Sequence, residues 1–233
     1  MKARDNKPSN EVYTYDEKSL KWKQTIPPLQ TARVSPGVLS LQSALIVAGG
    51  ELKQNSYANT VEIYKPGMSL WQETDPLPTA CCEMSTVSIG NTCYVLGGYK
   101  YPSNLKQVLY ASLDDLIYKA SSANVHNISG KKDILSAWKV LPDTPVYIPS
   151  AAMLSGNLLT IGGDKTIEGG ARTRKVYMYS HSVNSWIYIS DLPAPRSMTT
   201  VANLSSTEIL VIGGEYGGNR MKTVYKGTLS MKV

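Results

Sequence analysis

Ala44-Leu45-Ile46-Val47-Ala48-Gly49-Gly50 is an apolar run closed by two glycines, and three further segments of the chain end in the same way. Cys93 to Leu96 runs into Gly97-Gly98, Leu158 to Ile161 into Gly162-Gly163, and Leu210 to Ile212 into Gly213-Gly214. The chain's four tryptophans, Trp22, Trp71, Trp138 and Trp186, precede these pairs by 27, 26, 24 and 27 residues. Such close spacings mark an array of units of about 50 residues.

The strands of one unit are legible from alternation and from continuous apolar runs. In the first unit they are Val38 to Leu41, Ala44 to Ala48, Val61 to Tyr64, and Leu70 to Glu73 with Trp71. Four short antiparallel strands per unit make a propeller blade. The order recurs twice in full; a fourth copy, Thr200 to Leu204, Leu210 to Ile212 and Thr223 to Lys226, lacks its Trp-bearing strand. Near the N-terminus, Glu11 to Tyr15 and Leu20 to Lys23 read as a third and a fourth strand. The expected class is therefore all-β, a propeller with about four blades present. Its units are 24–73, 74–140, 141–189, and 190–226 completed by 11–23, between a polar tail at 1–10 and a C-terminal tail at 227–233. Because both ends carry a third-strand sequence, the alternatives are a ring closed by its ends and a section of a larger, five- to six-bladed ring.

These residues resemble the kelch repeat family over about residues 12 to 226. The features carrying the resemblance are the strand before each diglycine, the Tyr of Val61-Glu62-Ile63-Tyr64 and Val176-Tyr177-Met178-Tyr179, the spaced Trp, and Leu77-Pro78, Leu141-Pro142 and Leu192-Pro193 after it. The departures are Ile26-Pro27-Pro28, Cys81-Cys82 and Tyr147 where two copies have Arg33 and Arg196, and a lengthened second unit. The resemblance implies a frame in which glycines and tryptophans are structural, and a role in binding a protein or peptide, as in many intracellular members. Its ligase-recruiting adaptors usually carry a BTB domain, to which nothing here corresponds.

Composition narrows the function classes. With 233 residues, 42% of them hydrophobic, one all-β domain can bury a sizeable core. The opening MKARDNKPSNEVY is polar where a secretory leader needs an apolar stretch, so an intracellular, cytoplasmic protein is expected, with no membrane partner. Cys81, Cys82 and Cys93 lack zinc-type spacing and fit reduced thiols. Asn127-Ile-Ser129 and Asn203-Leu-Ser205 match the glycosylation pattern, which needs a secretory route to be used. The net charge of +6 is spread without a basic run, which argues against nucleic acid.

The second unit carries an insertion at 112–136. Ser112-Leu113-Asp114-Asp115-Leu116-Ile117 predicts a capped short helix with Leu113, Leu116 and Ile117 on one face. The rest is polar, and the insertion reads either as a tolerated surface loop or as a binding element. His126 and His181 stand apart from other ligand types, no phosphate-cradling loop is present, and no cofactor, metal or catalytic residue is expected. A sugar-modifying oxidase or mutarotase of the kelch-bearing kind is the runner-up, disfavoured by the scarcity of histidine. What remains is one loop face. After the diglycines come Glu51, Lys53, Tyr99, Tyr101, Asp164, Glu215, Tyr216 and Arg220; before the first strands come Arg33, Ser35, Cys82, Glu83, Tyr147, Arg196 and Ser197. These are the candidate partner-binding residues of a non-enzymatic module, monomeric if the ring closes.

Overall fold

The computed structural model describes residues 7–122 and 136–229. The helix expected at the insertion lies inside that range, whereas His126, Asn127 and Ser129 lie outside it.

Three units contain four antiparallel strands in simple up-and-down order, and in the second the short strand Ser103–Asn104 also pairs with the end of Thr92–Lys100. The first comprises Gly37–Leu41, Ala44–Ala48, Val61–Tyr64 and Gln72–Thr74; the second Cys82–Ile89, Thr92–Lys100, Val108–Ser112 and Lys139–Leu141; the third Ser150–Leu154, Asn157–Ile161, Lys175–Ser180 and Ser185–Asp191. The fourth sheet has three strands, Thr200–Asn203, Glu208–Ile212 and Val224–Thr228. This is a four-blade propeller arrangement.

The alternation in each sequence buries one face of a sheet against each neighbouring blade, so the core lies between blades. One cluster joins Ile46, Val61 and Ile63 of the first blade to Cys93, Val95 and Leu109 of the second. A second joins Leu96 and Val108 to Leu158 and Tyr179, and a third joins Leu159 and Ile161 to Ile209 and Val211. Near the axis, hydroxyls replace methyls. Thr86 Oγ1 donates to Val38 O at 2.7 Å, Ser85 Oγ to Pro149 O at 2.7 Å and Ser150 Oγ to Thr199 O at 3.0 Å, tying each inner strand to the next. Asn203 Nδ2 donates to Met153 O at 2.6 Å in the same role, so the amide of that glycosylation pattern is engaged between blades.

The diglycines serve close blade contact, as expected. Gly49 has a φ of 61°, and a Cβ there would sit 2.5 Å from Cys81 O, which belongs to the next blade and accepts Gly50 N at 2.9 Å. The tryptophans serve the same junctions. The indole Nε1 of Trp71 donates to Pro27 O at 2.8 Å, that of Trp138 to Asp75 O at 2.9 Å and that of Trp186 to Pro142 O at 3.0 Å, each a carbonyl of the linker after the preceding unit. Tyr64 and Tyr179 pack on their own blade's Trp with ring centroids 5.4 and 5.5 Å apart.

Two expectations are corrected. Trp22 is 68% exposed and touches the Tyr15 ring at 5.3 Å between centroids. Among the described residues its strand Lys21–Lys23 pairs only with Thr14–Asp16. Among the described residues, the N-terminal and C-terminal strands do not pair with each other. Thr14–Asp16 and Lys21–Lys23 form their own two-stranded sheet, which packs through Val12 and Ile26 on the Trp71 side of the first blade, and Val224–Thr228 pairs only with Glu208–Ile212. The helix, Leu113–Ser122, forms as predicted, with Ser112 Oγ accepting Asp115 N at 3.1 Å and Leu113 and Leu116 buried. It starts, however, at Ser112, which pairs with Thr92 at the end of the blade remote from Gly97, and so lies away from the diglycine end.

Candidate functional site

At the diglycine end of the blades, the two sets of loops meet by backbone pairing in every copy. Val34 bridges Glu51, Cys82 pairs with Tyr99, Tyr147 bridges Asp164 and Ser197 bridges Glu215. This register corrects the alignment of the third copy. Val146, whose methyl would lie 3.1 Å from a Cβ on Gly163, holds the position of Arg33, whose Cβ would lie 3.0 Å from one on Gly50; Tyr147 is one residue further on.

Immediately after each paired residue, the chain turns through the left-handed region at Ser35, Glu83, Ile148 and Met198, with φ of 48°, 54°, 42° and 52°. Four non-glycine residues in this region at one structural position aim four unlike side chains at one place. They border a concavity of about 350 Å³ that also includes Pro36, Pro149 and Thr199 from the starts of the inner strands. A neighbouring hollow of about 260 Å³ shares Glu83, Ile148 and Met198 with it.

Arg33 and Arg196 do not belong to this surface. They are 4% and 0% exposed, because each side chain turns inward along its own blade to satisfy the carbonyl of a diglycine. Arg33 Nη1 donates to Gly49 O at 2.7 Å, and its Nη2 pairs with the fully buried Glu62 carboxylate. Arg196 Nη1 donates to Gly213 O at 2.9 Å, while its guanidinium lies 4.2 Å from the centroid of the Tyr225 ring. In the second blade, where Cys81 occupies this position, Gln107 Nε2 reaches Gly97 O at 3.3 Å instead. Cys82, Asp164 and Ser197 are also buried and are corrected with the arginines from surface to interior. Burial raises the thiols of Cys81 and Cys82 to about 11 and about 12, leaving both as neutral packing groups at physiological pH.

The remaining candidates are accessible. Ser35, Lys53, Tyr101, Tyr216, Arg220 and Glu83 are exposed, and Glu51, Tyr99, Tyr147 and Glu215 are half-buried around them. Tyr57 and Tyr99 meet edge to face with centroids 6.2 Å apart, and the Tyr57 hydroxyl accepts Tyr101 N at 3.3 Å. Sequence reasoning missed Tyr57, Arg172 and Met198. Arg172 pairs with Asp164 and lies 3.4 Å from Glu215, linking the third and fourth blades. The spacing of Met198 two residues after Arg196, matching Ser35 after Arg33, was the available signal. His181, in a turn, meets Tyr179 edge to face with ring centroids 4.8 Å apart. No group of three His, Cys, Asp or Glu placed to hold a metal occurs among the described residues, nor does a helix long and apolar enough to cross a membrane.

The arrangement matches a solved structure, that of YjhT, with a TM-score of 0.70 at 12% identity, covering 91% of this chain and 71% of that one. Human Kelch-like protein 25 is 25% identical over 228 residues, 94% of this chain. The fold is a kelch-type β-propeller. Human Kelch-like protein 23 is 26% identical to this propeller over 190 residues, and mouse Kelch-like protein 40 is 31% identical over 98 residues, covering 81% and 42% of the chain. The kelch propeller spans about a third of the length of Kelch-like proteins 25 and 23, at 35% and 31% of each. No family model matches the chain.

Proposed function

We propose that this kelch propeller is a non-enzymatic interaction module that holds an extended peptide or protein surface at the diglycine end of its blades. The observation that carries the reading is the fourfold backbone pairing between post-diglycine and pre-strand segments. It gathers residues more than 160 positions apart, such as Ser35 and Met198, around one opening. Tyrosine and arginine beside carboxylates are the composition of interface anchors rather than of an apolar small-molecule pocket. The relatives named Kelch-like lend the same reading a family basis.

Capture of proteins on the immobilised chain tests it, comparing wild type with a Tyr101→Ala/Tyr216→Ala/Arg220→Ala variant of unchanged circular dichroism. All three side chains are exposed, so the fold is expected to survive. A protein retained by wild type and released by the variant supports the reading; equal retention moves the site elsewhere. A second reading, that the propeller acts within a longer protein, is favoured by the outer edge of Val224–Thr228, which pairs with no fourth strand among the described residues.

A further inference from the structure

The chain carries a net charge of +6, yet the hollow at its diglycine end is acidic. Glu83, Asp164 and Glu168 border it together with Tyr99 and Met198, and the only cation among its lining residues, Arg172, is already paired with Asp164 and neighbours Glu215. Lys53, Lys100, Lys165 and Arg220 line neither this hollow nor the axial concavity beside it. Glu51 lies close enough to Glu83 to add to the effect of partial burial in raising that carboxyl above its ordinary value. Carboxylates gathered on a basic protein raise one another's free energy, and a cation placed among them relieves all of them together.

A second observation, independent of charge, points the same way. Asp164 is fully buried and borders the hollow, and its Oδ1 has no hydrogen-bond partner among the described residues. Arg172 Nε, beside it, is likewise unpartnered. Buried polar atoms are seldom left so in a complete assembly. A lysine or arginine side chain entering the hollow brings donors for the exposed Glu83 and Glu168 and a positive charge beside the buried Asp164. Tyr99, which stands edge to face with Tyr57, adds an aromatic wall suited to a cation. An acidic peptide meets the opposite: carboxylates with no free cation to receive them.

We propose that the hollow bordered by Glu83, Tyr99, Asp164 and Glu168 receives a lysine or arginine side chain of the partner, so that the segment bound by this propeller is basic. This rests on the interaction reading above and gives that partner its chemistry.

Selection of binders from a random peptide library on the full chain tests it. Affinities of the selected peptides are then measured by titration calorimetry against wild type and Glu83→Gln/Glu168→Gln. Both carboxylates belong to exposed residues, and the amides keep their shape, so this variant is expected to fold. The proposal predicts peptides enriched in Lys and Arg that lose about tenfold or more in affinity to the variant, a loss worth about 1.4 kcal/mol. It also predicts binding that weakens as salt rises. Basic peptides indifferent to the variant overturn it. Acidic or apolar peptides that Tyr101→Ala/Tyr216→Ala releases overturn it while leaving the interaction reading in place. A library that yields no binder overturns both.

Discussion

Replacing Arg33 with Leu leaves the Glu62 carboxylate in the interior without its counter-ion. Both side chains of the pair are fully buried, and Glu62 also accepts the backbone N–H groups of Gln30 at 2.7 Å and Thr31 at 3.1 Å. Breaking a buried pair from one side costs about 3 to 5 kcal/mol, because the remaining charge keeps its desolvation penalty and loses its compensation. For a chain of this size that corresponds to a fall of roughly 6 to 20 °C in Tm. Adding Glu62→Gln to Arg33→Leu removes the stranded charge while keeping an acceptor for Gln30 and Thr31, and is expected to regain about 1 to 3 kcal/mol. Urea unfolding followed by far-UV circular dichroism, with the slope checked for constancy, measures both steps. A double variant no more stable than Arg33→Leu refutes the argument, since the loss would then come from the Gly49 and Thr60 contacts of the guanidinium alone.

Trp71→Ala is expected to cost about 3 to 5 kcal/mol, given a 1% exposed indole bonded to Pro27 O, and Trp22→Ala about 0.5 kcal/mol or less; equal shifts in the urea midpoint contradict this. Gly162→Ala forces a left-handed residue, at φ 62°, against the Arg196 carbonyl and is expected to cost more than about 2 kcal/mol. Gly156→Ala, at φ 77° with nothing within 4 Å of a Cβ, bears only the backbone penalty of about 1 kcal/mol, and comparing their melting temperatures separates collision from strain. Burial raises Cys93 from the ordinary 9.0 to about 11 and Cys82 to about 12. Above pH 9 the unfolded chain loses these protons first, so stability is full below pH 9 and declines as pH rises toward 11 to 12. Urea midpoints across that range should fall less steeply for Cys93→Ala than for wild type.

What the sequence made legible is what local chemistry determines. The apolar runs, the diglycines, the tryptophan spacing and the Ser112 cap each report on a few neighbouring residues, and the structure contains them all. The inward turn of Arg33 was not legible, since it depends on Glu62, 29 positions away, and on a diglycine carbonyl no composition reveals. The exposure of Trp22 depends on what packs across its two-stranded sheet rather than on its own strand sequence. Two of the four axial positions, Ile148 and Met198, hid for another reason: they share with Ser35 and Glu83 no property except the backbone angle they adopt. An acidic hollow on a chain of positive net charge is equally invisible to a sum over residues.

The register of indoles on preceding linkers makes this propeller its own spectroscopic ruler. Trp71 senses the junction between the N-terminal sheet and the first blade, Trp138 that between the first and second, Trp186 that between the second and third, and Trp22 reports on solvent. Three single-tryptophan chains that shift emission at one common urea concentration would describe a cooperative array. Three different concentrations would map, junction by junction, the order in which its blades come apart.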